Sequence, residues 1–326
     1  MRSPTSPSDL EPPRAAASPA AATPPTSVPG SRAPSAGRGS AGGGRLPPLL
    51  RGILARPAGR VALVGVVLLA ACALLAPWLA PYDPAAQLDI VALKDQPPSA
   101  AHPFGTDPYS RDVLSRVLHG ARVSLAVAVL ATAVSVTVGT AYGAVAGWRG
   151  GRTDAVLMRL VDAALAVPRV LLLLAIVALW GGLPLWAFVL LLGLTQWFAV
   201  SRLVRAEVLA RRGAEYVTAA RALGAGEWRI LARHVLPNVL SPVLVAATLG
   251  VANVVVLEAG LSYLGFGVRP PTPSWGNVIQ DGADQVAALW WVSLFPGLAV
   301  VLTVACFNAL GDVLRDVVDA RHVDPR

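Results

Sequence analysis

The sequence predicts an all-α integral membrane protein with six transmembrane helices and both termini in the cytoplasm. Three observations lead there. Hydrophobic residues make up 55% of the chain and charged residues 14%, whereas soluble domains carry about 25% charged residues. Charge-poor apolar runs recur along the chain, and roughly 20 such residues cross a bilayer core. Basic residues gather where those runs end. Net charge is +8, and 26 of the 27 basic residues are arginine. That distribution marks membrane topology rather than a nucleic-acid partner.

Composition also narrows the chemistry. Cys72 and Cys306 each lie inside an apolar run, with neither metal-ligand spacing nor a disulfide framework, and read as packing residues. The single lysine, Lys94, stands between Leu93 and Asp95. A phosphate-binding loop needs Gly-Lys-Ser/Thr after a Gly-rich turn, so any ATP that drives this protein is hydrolysed on another chain. The four histidines, at 102, 119, 234 and 322, are scattered, and neither HExxH nor GxSxG occurs. No catalytic residue, cofactor or metal ligand is expected.

The elements follow in order. Residues 1–48 are rich in Pro, Ala, Ser and Gly, and a tail over 1–58 is expected to be disordered and cytoplasmic. Such a segment buries too little apolar surface to offset ordering entropy. It shows no apolar core of a signal peptide. Eight Arg against two acids precede the first span, which places this end inside. The transmembrane domain is expected over 59–312, with its first span at 61–80. A polar stretch holding five Asp follows and is expected outside the cell. Within it Thr106, Asp107 or Ser110 can cap a short interfacial helix, with Val113, Leu114 and Val117 on the membrane surface. The second span covers 123–146. There Gly139, Gly143 and Gly147 repeat every fourth residue, a small face suited to close helix packing in lipid.

The third span covers 155–180. Arg159 and Asp162 stand one turn apart and can pair with each other or meet a neighbouring helix. Arg169 lies deeper, after Pro168. A charge at that depth usually faces a bundle interior or a wet path, so Arg169 either lines the pathway or snorkels and pairs within the bundle. Gly181-Gly182-Leu183-Pro184 is a tight outside turn, and the fourth span covers 185–201. Residues 202–234 hold seven Arg against three Glu, which puts that loop in the cytoplasm. The fifth span covers 239–257. Asn253 and Glu258, toward its outer end, either line a path for a polar substrate or bond neighbouring backbone. Outside again, a Gly-broken apolar turn at 261–267 leads to a Pro-rich loop ending at Trp275, which either packs on a docking protein or anchors at the interface. Trp290 and Trp291 open the sixth span, 290–310, and a charged cytoplasmic tail occupies 313–326.

The loop between spans 4 and 5 carries the sharpest signal. Tyr216, Ala219, Ala220 and Leu223 fall on one helical face, and Gly224 stops that helix, because glycine adopts positive φ cheaply. A second short helix sets Trp228, Leu231 and Val235 on one stripe and Arg229 and Arg233 on another, and Pro237 ends it. A small, Ala-rich knuckle of this kind suits insertion into a partner's groove. On Thr218-Ala219-Ala220, Gly224, Ile230 and Leu236-Pro237 it resembles the EAA loop of the membrane subunits of ATP-binding cassette importers. Glu215 stands apart from the Ala pair, where the motif's name suggests adjacency. The resemblance implies a cytoplasmic coupling helix that seats in an ATPase subunit through Glu215, Ala219, Ala220 and Gly224.

Further motifs narrow the branch. Gly105-Thr106-Asp107 with Arg111-Asp112 resembles the signature of the dipeptide, oligopeptide and nickel importers, which usually have Gly where Ser110 stands. Asp107, Arg111 and Asp112 are read there as an extracytoplasmic capped segment rather than a substrate contact. Leu157-Met158-Arg159 with Asp162 and Pro168, and the pair of segments 261–267 and 270–276, resemble the same branch. Over residues 60–321 the chain is similar to the second permease of those systems. The resemblance implies a subunit that does no bond chemistry and supplies half of a pathway for di- or oligopeptides, or for a related small solute such as nickel. Arg169, Asn253 and Glu258 are its pathway candidates. The implied partners are a second homologous permease, two ATP-binding subunits, an extracytoplasmic solute-binding protein and the lipid of the inner or plasma membrane. Two rival classes fit less well. A gradient-driven transporter needs embedded carboxylates or inverted halves, and Asp162 is the one deep acid read here. An intramembrane enzyme needs a nucleophile–base or metal cluster.

Overall fold

A computed structural model describes residues 48–323, and residues 1–47 of the expected tail lie outside the described residues. Helix α1 (Pro48–Ala55) occupies the end of what the sequence assigns to that tail. It is ordered because Leu49 and Ile53, one turn apart, pack on Val313 and Val317 of the last helix. Helix α2 (Pro57–Leu79) opens on a proline at its first position, where the missing N–H has no intrahelical partner to lose.

Helix α3 (Val113–Arg149) is the central element. Its cap is Asp112, whose side chain accepts from the Ser115 N–H at 2.8 Å, rather than Thr106, Asp107 or Ser110. The expected interfacial helix and second span are therefore one helix of 37 residues. Arg116, His119 and Arg122 interrupt the hydropathy there but not the backbone. The third span is broken instead. Helices α4 (Gly151–Leu165) and α5 (Arg169–Trp180) meet at a 75° bend, because Pro168 lacks an N–H and bars its predecessor from helical geometry. Asp162 pairs with Arg202 of α6 (Leu185–Arg212) rather than with Arg159.

Helices α7 (Glu215–Ala222) and α8 (Glu227–Ile230) form the knuckle. A π-turn, Leu231–Val235, then runs without a stop into α9 (Leu236–Tyr263). Pro237 does not end a helix. The wide turn before it accommodates a ring that would otherwise meet the carbonyl four residues back. Helix α10 (Trp275–Asp281) starts on a capping box between Ser274 and Asn277. Helix α11 (Trp290–Val323) continues well past the expected exit at 310.

Among the described residues the structure is helical, with one isolated bridge between Thr106 and Asp112 and no strand. Five helices are long and apolar enough to cross a membrane, and the bent α4–α5 pair makes a sixth if counted as one broken span. The tightest seam joins α3 to α6. A methyl group at Gly139 would lie 2.7 Å from Val200 Cβ, and one at Gly147 would lie 2.8 Å from the Arg205 carbonyl. At Gly143 it would collide with the Ser201 carbonyl. The four-residue glycine repeat thus lets two backbones touch, as close packing in lipid requires. One core, around Phe188, Leu192, Val254 and Trp275, fills the end that holds the 80–112 loop, and a second, around Val204, Val208, Ile230 and Val235, fills the knuckle end.

Candidate functional site

The knuckle is built from both of its faces. Inward, Val217 and Ile230 are fully buried against Val204, Val208 and Trp148. Outward, Tyr216 is 41% exposed, Trp228 55% and Leu223 89%. These are large apolar side chains at a polar tip. Glu215 and Ala219 are also exposed, while Ala220 is half-buried against the inner cluster. The face that the sequence marks with Tyr216, Ala219 and Leu223 is thus the one turned away from the protein. Trp228 does not share a face with Leu231 and Val235, which are buried. The π-turn, whose bonds run five residues back, shifts the helical register between Trp228 and Val235.

Gly224 stands at φ +81° just past the end of α7. Its N–H donates to the Arg221 carbonyl at 2.9 Å, and the Ala225 N–H donates to the Ala220 carbonyl at 3.1 Å. That bond pair is a Schellman closure. A methyl group at Gly224 meets nothing within 4 Å, so the demand for glycine is conformational. Arg221 donates to Glu227 through Nε at 2.9 Å and Nη2 at 3.2 Å, bracing the two arms, and lies 5.3 Å over the Trp148 ring.

A second candidate site lies in the bundle. An open cavity of about 710 Å³ is bordered by α5, α6, α9 and the end of α4, and Arg169 and Asn253 both line it. Arg169 donates through Nε to Thr195 Oγ1 at 3.2 Å and through Nη2 to the Leu192 carbonyl at 2.9 Å. Gln196, a polar residue of the fourth span, lines the same cavity. Glu258 does not border it. Five residues past Asn253 place it about 140° around the same helix, facing α3 instead. There it is fully buried and accepts from Ser124 Oγ at 2.8 Å and Ser262 Oγ at 2.7 Å. Those serine oxygens accept the N–H groups of Trp275 and Val268.

The signature residues form a closed ionic cluster at the opposite end from the knuckle. Asp107 is fully buried and accepts the Tyr109 and Arg111 N–H groups at 2.8 and 2.9 Å, and Arg111 Nε at 2.7 Å. Arg116 reaches Asp107 and Asp281 at 2.5 Å each, and Arg111 also reaches Asp281 at 2.8 Å. Asp112 holds His102 Nδ1 at 2.9 Å besides capping α3. Two acids and two arginines thus lock the loop, α3 and α10 in one register, a use to which buried pairs are well suited. Arg116 and Asp281 were not singled out from the sequence. The one available clue was Arg116 one turn into a capped helix. Trp275 neither docks nor anchors at an interface. It is fully buried, with Nε1 donating to the Val117 carbonyl at 3.1 Å.

Comparison with known proteins agrees with this architecture. Residues 139–323 match the family described as the binding-protein-dependent transport system inner membrane component. Residues 50–98 match the N-terminal transmembrane domain of oligopeptide transport permease C. A di/tripeptide transport system permease protein of Pseudomonas aeruginosa is 40% identical over 265 residues, covering 79% of this chain and 86% of that protein. A candidate peptide permease protein of Brucella suis is 42% identical over 289 residues, covering 85% and 94%. A candidate peptide transport system permease protein of Brucella melitensis is 40% identical over 282 residues, covering 85% and 93%. The family match takes in more than half of the chain, and the chain belongs to that family: it is a multi-pass inner-membrane permease subunit of the ATP-binding cassette importers, in the peptide-permease branch.

Proposed function

We propose that this subunit forms half of the pathway by which an importer carries di- or oligopeptides inward, and that its 215–237 knuckle takes the drive from a separate ATP-hydrolysing subunit. The relatives above are named for peptides, which favours peptides over nickel. The observation that carries the coupling reading is the outward tip, where Tyr216, Leu223 and Trp228 stand exposed on a scaffold clamped from beneath by Val217 and Ile230. Exposed large apolar groups on an ordered, polar-rimmed tip mark a contact surface. The Arg excess of residues 202–234 supports a cytoplasmic side for that surface, where ATP is.

A push on the tip has a direct route inward. Helix runs from Glu227 to Tyr263 without a break, 37 residues, or about 55 Å at 1.5 Å per residue. It carries Asn253 to the cavity, and α6, which leads into α7, carries Thr195 and Gln196 there. Tilting the knuckle therefore moves the two cavity walls formed by α6 and α9. A second permease, a second ATPase and an extracytoplasmic solute-binding protein complete the assembly.

The test is uptake by the reconstituted importer. Ala219→Arg puts a long cation on the exposed face without touching the inner cluster, and Gly224→Pro removes the N–H that closes α7. Both variants are expected to insert into the membrane normally and to lose uptake. Normal uptake by either, at normal expression, contradicts the coupling role.

A further inference from the structure

We infer that Arg169 receives a carboxylate of the substrate midway across the membrane. This rests on the peptide-import reading and deepens it by naming the part of the substrate that the permease itself holds. A guanidinium keeps its charge under all ordinary conditions, and within a bilayer such a charge needs a partner or a wet cavity. Arg169 has the cavity. Its two hydrogen-bond partners, Thr195 Oγ1 and the Leu192 carbonyl, are neutral, and no carboxylate among the described residues pairs with it. A guanidinium offers five N–H donors, so three remain for a ligand. It stands at the broken junction of α4 and α5, beside the uncapped N-terminus of the 12-residue α5. Broken helices of this kind present the positive ends of their dipoles to anionic groups in other transporters.

The rest of the lining suits a small anionic solute. Asn253 is exposed on the cavity wall, and Gln196 Oε1 is buried without a partner among the described residues. The remaining wall is largely apolar, with Leu249, Val256 and Leu257 from α9 and Phe198 from α6. An apolar surround strengthens a charge pair, and a few convergent polar groups fix the orientation of what binds. A carboxylate matches the guanidinium fork with two parallel bonds, and every unmodified peptide has one at its C-terminus.

The test uses the full importer, reconstituted with its ATPase and solute-binding subunits, and one tripeptide in two forms, free acid and C-terminal amide. Uptake of each is measured for wild type, R169K and R169Q, with the same binding protein throughout. Loss of a charge-assisted bond should lower free-acid uptake by R169Q about tenfold or more, leave the amide within about twofold of wild type, and be partly restored by R169K. An equal loss for both forms means that Arg169 only braces α5 on α6, and overturns the proposal. No loss for either form overturns it too. So does dissociation of the two permeases in R169Q on size-exclusion chromatography, which would assign the guanidinium to an acid of the partner permease. Failure of the underlying peptide reading looks different: the wild type would then carry neither form of the tripeptide.

Discussion

Ser110 sits at φ +62°, and its hydroxyl is buried without a partner among the described residues. A side chain in the left-handed region costs about 1 kcal/mol, and an unpaired buried hydroxyl adds about 1–3 kcal/mol. Glycine removes both terms and returns about 0.5–1 kcal/mol through its larger freedom in the unfolded chain. Ser110→Gly should therefore raise the thermal midpoint in detergent, by a net gain of about 1–3 kcal/mol. This is a physical reason for the glycine usual at that place in the resembling branch. Glu258 makes the opposite case. The serines that donate to it have their oxygens engaged by the Val268 and Trp275 N–H groups. Glu258→Gln turns one acceptor into a donor, so one serine O–H loses the oxygen it donates to. A loss of about 1–3 kcal/mol is expected, seen as faster amide exchange at Val268 and Trp275. At this scale the sequence was only partly readable. Gly224 and the glycine repeat declared themselves, because glycine has few other reasons to stand where it does. Trp275 did not, because an aromatic at the end of a Pro-rich loop reads as surface until α3 is seen lying over it.

Between elements, the α3–α6 seam is the most exacting contact. A side chain at Gly143 collides with backbone, the Ser201 carbonyl, and backbone cannot rotate aside. Gly143→Val should therefore separate the helices and cost at least the roughly 1–3 kcal/mol of an overpacked core, read as lost yield of folded protein. Gly297→Ala is the matched control. Its added methyl meets nothing within 4 Å, and alanine is the better helix former, so stability should hold or rise slightly. The spans themselves were legible because charge-poor runs of bilayer length have few alternative readings. Their ends were not. Helices α6 and α11 run past the apolar stretch into charged sequence, since backbone hydrogen bonding continues where hydropathy stops. The break at 166–168 was masked for the converse reason, because hydropathy stays high through a backbone fault. Helix α1 was hidden by the Pro- and Gly-rich composition just before it, although its Leu49 and Ile53 stripe has a partner in α11.

Taken whole, the subunit has an ordered, apolar-tipped knuckle at one end, an ionic cluster at the other, and between them a cavity that Arg169 lines. The continuous helix from Glu227 to Tyr263 links the knuckle to the cavity wall, and α3 binds both ends through the glycine seam and the Asp107 cluster. On the proposed coupling, the knuckle meets an ATPase and faces the cytoplasm. The direct test is labelling of Leu223→Cys, the most exposed of the tip's large apolar positions, in a chain whose Cys72 and Cys306 are replaced by alanine. A membrane-impermeant maleimide should modify it in inverted vesicles and not in intact spheroplasts, and bound ATPase subunit should shield it. Modification in intact spheroplasts, or equal modification with and without the ATPase, contradicts the account.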